Sequence, residues 1–289
     1  MSHFNSIRML VADDSRTVQR FFKDVVEAAP WPIELVTADT GLECMMLLEQ
    51  SDVDLAFIDV HMPEMSGMEA VGRVRFKGNK SFVILMSGKA DQRRLDVARQ
   101  IRAYEYLVKP FTAADILTII KTYQSVAKRT RTLIVDDSRT IRHVILRVLK
   151  RSVFNLAIEE AASGERALKL FNEGHCGLVF LDYNMPGLDG LDTLDRILSD
   201  DPNTKIVMIS AERNEEHVRQ AMDHGAVTFL HKPFFAGDVD RALHAAYGLK
   251  MPELALSAGA DQEWTKTLGA DDSDVADWEK AIRELTQAE

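Results

Sequence analysis

Five residues of this chain could do chemistry together, and the same five types return further on. Asp13, Asp14, Asp59, Ser87 and Lys109 form the first set. Asp136, Asp137, Asp182, Ser210 and Lys232 form the second, each 123 residues after its counterpart. Three carboxylates brought together repel one another unless a cation sits among them. All-oxygen ligation with room for water suits Mg²⁺. A lysine facing such an ion suits an incoming phosphoryl group, whose oxygens need balancing charge. The serine hydroxyl can donate to that group, and a carboxylate can attack phosphorus to form an acyl phosphate. A lone Asp-Asp-Ser is usually just a strand end and a helix N-cap. Five positions at one spacing, found twice, call for phosphoryl chemistry on an aspartate.

The elements that must position these residues repeat as well. Gly41 and Gly164, Pro63 and Pro186, Gly67 and Gly190, and Phe111 and Phe234 keep the same offset, so one domain is written twice. Within the first copy, "IRMLVA", "IELVTA", "VDLAFI", "SFVILM" and "YEYLV" read as strands buried on both faces. Amphipathic stretches such as "RTVQRFFKDVVEA" and "AADILTIIKTYQSVA" lie between them. Five βα units predict an α/β fold, a parallel sheet with helices on both sides. Functional groups of such sheets gather at the carboxyl ends of the strands. Asp13 and Asp14 then end the first strand, Asp59 the third, Ser87 the fourth and Lys109 the fifth. The predicted boundaries are 1–127 and 128–248 for the two domains and 249–289 for a tail.

Composition excludes other classes. The 289 residues carry a net charge of −10. The first two segments are each at −2, and the tail, with 4 basic and 10 acidic groups, is at −6. No segment offers the basic face that nucleic acid requires, and "KRTR" at 128–131 reads as a solvated junction. No apolar run reaches the roughly 18 residues of a membrane span, and the N-terminus has no secretory h-region. Cys44 and Cys176 fit a reducing cytoplasm and make no zinc pattern. In the tail, Val275, Trp278, Ile282 and Leu285 fall on one helical stripe, which predicts a short amphipathic helix.

The segments "VADDSRT", "IDVHMPEMSG", "LMSGK" and "LVKPF" resemble a response-regulator receiver domain, and "IVDDSRT", "LDYNMPGLDG", "MISAE" and "LHKPF" resemble another. The resemblance implies two flavodoxin-like (βα)5 domains, doubly wound, with strand order 2-1-3-4-5. It implies that Asp59 and Asp182 accept phosphoryl groups from a histidine kinase or phosphotransfer protein. Asp14 and Asp137 would bind Mg²⁺ directly and Asp13 and Asp136 through water, with the carbonyls of His61 and Asn184 completing the protein ligands. Ser87, Ser210, Lys109 and Lys232 would meet the phosphoryl oxygens. Tyr106 and Phe229, three residues before each lysine, match the aromatic switch position, although an aromatic on a buried strand also serves simply as core.

The copies depart from one another at a few positions. The second has Asn184 and Glu212 where the first has His61 and Lys89. These flank the path of a hydrolytic water, so the first copy is expected to hold its phosphoryl group longer. Gly225 of the second copy suits a left-handed helix terminator, and Arg102 stands there in the first. That exchange, with Gly88 opposite Ala211, predicts a remodelled fourth helix and turn in the first copy. Few residues remain outside the repeats, so the expected output is protein contact: a downstream partner, a homodimer, or a phosphate sink that drains a shared kinase. Catalysis is not expected beyond autophosphorylation and autodephosphorylation. A haloacid-dehalogenase-like phosphatase is an alternative, but it needs a D-x-D nucleophile on the first strand. A scaffold in which one receiver is inactive is another, which two complete residue sets disfavour.

Overall fold

A computed structural model describes residues 6–50, 52–211 and 214–256. These residues fall into two compact units. One takes the chain through Tyr123 and also the short segment beginning at Pro252; the other runs Gln124–Met251. The stripe predicted at Val275, Trp278, Ile282 and Leu285 lies outside the described residues.

In the first unit, strands β1 (Ile7–Ala12), β2 (Ile33–Ala38), β3 (Leu55–Asp59), β4 (Phe82–Ser87) and β5 (Glu105–Val108) alternate with helices. The helices are α1 (Arg16–Glu27), α2 (Gly41–Gln50), α3 (Gly67–Phe76), α4 (Gln92–Gln100) and α5 (Ala113–Ala127), the last of which runs on past Tyr123. All strand pairs are parallel, in the order β2-β1-β3-β4-β5. Strands β3 and β4 are buried at every residue, as their unbroken apolar sequences require. They need helices on both sides to exclude water.

The second unit repeats the plan. Its strands are β6 (Thr130–Val135), β7 (Leu156–Ala161), β8 (Leu178–Asp182), β9 (Lys205–Ser210) and β10 (Thr228–His231). Helices α6 (Arg139–Arg151), α7 (Gly164–Phe171), α8 (Gly190–Asp200), α9 (Glu215–Asp223) and α10 (Ala236–Ala246) intervene. The order β7-β6-β8-β9-β10 is that of the first sheet. A last described turn, α11 (Glu253–Leu256), belongs to the first unit.

The expected remodelling of the fourth helix is not found. Helices α4 and α9 are both nine residues long. Arg102 takes a left-handed conformation at φ +55°, where Gly225 has φ +103°. The closing bonds are matched too: Ala103 N donates to Ala98 O and Ala226 N to Ala221 O, both at 2.9 Å. Arginine accepts the strained backbone at a modest cost because the turn is otherwise fully bonded.

Candidate functional site

Parallel register brings the polar residues to one edge. Ala12 pairs with Ile58, so Asp13 arrives beside Asp59. Asp59 pairs with Met86, which puts Ser87 one residue further on, and Ser87 pairs with Val108, just before Lys109. In the second sheet Val135 pairs with Leu181 and Asp182 with Ile209, placing Asp136 and Ser210 likewise. Each βα turn then opens a helix. Asp13 Oδ1 accepts the Ser15 N–H at 2.9 Å, and Asp136 Oδ1 accepts that of Ser138 at 2.8 Å. Each bond closes an Asx turn that sets the N-cap residue, Ser15 or Ser138, ahead of its helix.

The distances match between the halves. Lys109 Nζ lies 2.7 Å from Asp13 Oδ2 and 3.0 Å from Asp59 Oδ1. Lys232 Nζ lies 2.7 Å from Asp136 Oδ2 and 2.9 Å from Asp182 Oδ1. Asp13, Asp59, Asp136 and Asp182 are buried, whereas Asp14 and Asp137 are exposed at the rim. In each half three carboxylates offer oxygens within 4.8 Å of one another. Burial pushes the Asp59 and Asp182 carboxyls above the usual range against the pull of the lysines, Asp182 to about 6. Burial opposes the ammonium charge of Lys109 and Lys232, but hydrogen bonds from their carboxylate partners outweigh it and hold both above the ordinary value.

The glycine repeated in the loop after each third strand has a steric reason. A Cβ on Gly67 would stand 2.0 Å from Asp59 O, and one on Gly190 would stand 2.3 Å from Asp182 O. Gly67 N donates to Val60 O and Gly190 N to Tyr183 O, both at 3.0 Å, folding each loop back on the strand that ends in Asp59 or Asp182. His61 and Asn184 are exposed in those loops. Ser87 and Ser210 are buried at the ends of their strands. Tyr106 is buried, and its hydroxyl donates to Lys89 O at 2.8 Å. Phe229 is half-buried, 4.9 Å from the His231 ring. Glu212 lies outside the described residues.

Comparison with known proteins decides the family. A profile of the response regulator receiver domain matches residues 9–121 and 132–244. The chain belongs to the response regulator receiver family. A chemotaxis protein CheY of Listeria monocytogenes is 40% identical over 114 residues, covering 39% of this chain and 95% of that protein. Protein CcdB of Bacillus subtilis is 36% identical over 119 residues, covering 41% of this chain and 98% of its own. A crystal structure of a putative two-component system response regulator/GGDEF domain protein aligns with 84% of this chain and 99% of its own, at a TM-score of 0.61 and 22% identity. At that identity it shows a shared fold and nothing further. Receiver domains serve phosphorelay signalling, and that general role extends to this chain.

Some site residues escaped the sequence reading. Gln19 Nε2 and Arg142 Nη1 occupy one repeat position and each donates to the carbonyl of the first acid, Asp13 or Asp136, at 2.8 Å. Their shared offset was a signal, but glutamine and arginine do not look alike in a repeat. Tyr183, next to Asp182, stacks on His217 at 4.6 Å and donates to Gln220 Oε1 at 3.0 Å. Its counterpart Val60 gives no hint of such a stack.

Proposed function

We propose that the chain is a double phosphoryl acceptor, with Asp59 and Asp182 receiving phosphoryl groups from a histidine kinase or phosphotransfer protein. The reading rests on one observation above all: in each half a single lysine ammonium bridges the strand-end acceptor and the first acid of the pair. One ammonium against three carboxylates leaves two negative charges uncompensated in a largely buried pocket. A hard divalent cation fits that donor set. Asp14 and Asp59 would hold Mg²⁺ in the first half and Asp137 and Asp182 in the second, with Asp13, Asp136 and the carbonyls of His61 and Asn184 completing the shell. Bound there, Mg²⁺ supplies the charge balance that keeps the acceptor ionised and steadies the phosphoryl oxygens.

The chain's own residues do the rest. A carboxylate oxygen of Asp59 or Asp182 bonds to phosphorus as the donor's P–N or P–O bond breaks, and the electron pair leaves with the donor. Lys109 or Lys232 keeps its ion pair to the first acid and turns its remaining donors to the new phosphoryl group. Ser87 or Ser210 donates to a second oxygen. Water later cleaves the acyl phosphate and restores the carboxylate. Output through protein contact, as a downstream binder, a dimer or a phosphate sink, follows from the module class. A reducing compartment such as the cytoplasm suits Cys44 and Cys176, both free and buried. Among the described residues no helix is long and apolar enough to cross a membrane.

Incubating the full chain with labelled acetyl phosphate, with and without Mg²⁺, tests this reading. Label that appears only with Mg²⁺ and is released by hydroxylamine supports an acyl phosphate. Label stable to hydroxylamine contradicts it.

A further inference from the structure

The segment that follows the second unit packs on the first. Pro252 and Leu254 are buried, Leu254 to 3% exposure, although the surrounding sequence is rich in Pro, Gly and Ala and has little periodicity. Turn α11 packs against α4 and β5, and Leu254 joins the apolar cluster that holds Val97, Ala98, Ile101 and Tyr106. Arg99 fixes it with a polar bond, its Nε donating to Leu254 O at 2.8 Å. Asp96 pairs with the same guanidinium and steadies it.

The second unit lacks these features at the matching positions. Met222 replaces Arg99 and cannot donate to a carbonyl; it is 44% exposed. Val227 and Phe229 are less buried than their counterparts Tyr104 and Tyr106. Among the described residues, one fold written twice thus presents a covered face in the first unit and an uncovered one in the second. The differing residue at position 99 is the one that binds the cover.

We propose that Pro252–Leu256 is a built-in occupant of the α4–β5 face of the first receiver unit. It closes that face to other proteins, whereas no described residue covers the α9–β10 face of the second unit in the same way. A protein that binds the first face must displace the segment by offering the same chemistry, an apolar side chain for the slot of Leu254 and a carbonyl for Arg99. This extends the proposed function by distinguishing the matching faces of the two units, but it does not depend on phosphoryl transfer.

Hydrogen exchange of the full chain, without any phosphoryl donor, tests the proposal. Leu254→Asp should speed exchange across Gln92–Val108 by about tenfold or more, the equivalent of one lost leucine burial. Exchange across Glu215–His231 should stay as in the wild type. Arg99→Met, which installs the second unit's residue, should speed the same first-unit peptides by about fivefold, the equivalent of one hydrogen bond. It leaves the apolar packing in place and so guards against a general folding defect. Wild-type exchange across Gln92–Val108 in both variants would overturn the proposal. So would equal acceleration in the α9–β10 peptides.

Discussion

The two halves of the chain agree at the carboxylates and disagree on the surface behind them. Lysine sits 2.7 Å from the first acid in both, and 3.0 or 2.9 Å from Asp59 or Asp182. Behind this edge, the first half has Tyr106 buried with its hydroxyl on Lys89 O, and a covering turn held by Arg99. The second half has Phe229, without a hydroxyl, half-buried, and Met222 exposed. Register explains the agreement: five parallel strands in one order leave little freedom in where their ends meet. Helix faces carry no such constraint, so duplicated domains can keep their chemistry while their contacts diverge.

The largest expected effect is steric. If both acceptor loops fold back equally tightly, Gly67→Ala and Gly190→Ala should each cost about 3 kcal/mol in their own unit, the upper range for overpacking. Gly88→Ala should change stability by less than about 0.5 kcal/mol, because nothing lies within 4 Å of its added Cβ and the second half already has Ala211. Urea melts of the three variants check this, and a tolerated Gly67→Ala would contradict the close approach.

Protons come next. The Asp182 carboxyl rises to about 6 in the folded chain, above its unfolded value near 3.8. Its contribution to stability is therefore fully present below the unfolded value and lost as pH rises through about 6. Mg²⁺ needs the ionised form, so its affinity for the second site should fall by about tenfold per pH unit below about 6, as for one competing proton. Calorimetric titration of Asp59→Asn from pH 7 to 5 measures this directly. A flat affinity would contradict it.

Phosphoryl lifetime probes the loops. The first half should hold its label longer by about fivefold, the worth of one positioning hydrogen bond, because His61 and Lys89 replace Asn184 and Glu212. Decay followed separately in Asp182→Asn and Asp59→Asn shows the difference, and equal rates would remove it. The smallest effect concerns the turn after α4. Arg102→Gly relieves a left-handed arginine and should stabilise the first unit by about 0.5–1 kcal/mol in the same urea melts.

The sheet order came with the family resemblance, whereas the placement of the acids at strand ends could be read from the residues themselves. A constant offset fixes two copies, and buried parallel strands fix where Asp59 and Lys109 emerge. The left-handed turn was missed because glycine was taken as its only occupant, and Arg102 adopts it regardless. Turn α11 was missed because four residues carry no period. Its one signal was Arg99 opposite Met222, a donor on a helix face where the other copy is apolar. The Tyr183–His217 stack joins residues far apart in sequence, and no local pattern announces it.

The central claim is that two aspartates, and only these two, accept phosphoryl groups. Intact-mass measurement after acetyl phosphate and Mg²⁺ treatment tests it on the wild type, Asp59→Asn, Asp182→Asn and the double variant. Up to two added phosphoryl groups are expected in the wild type, one in each single variant and none in the double. A double variant that still gains a phosphoryl group would contradict it.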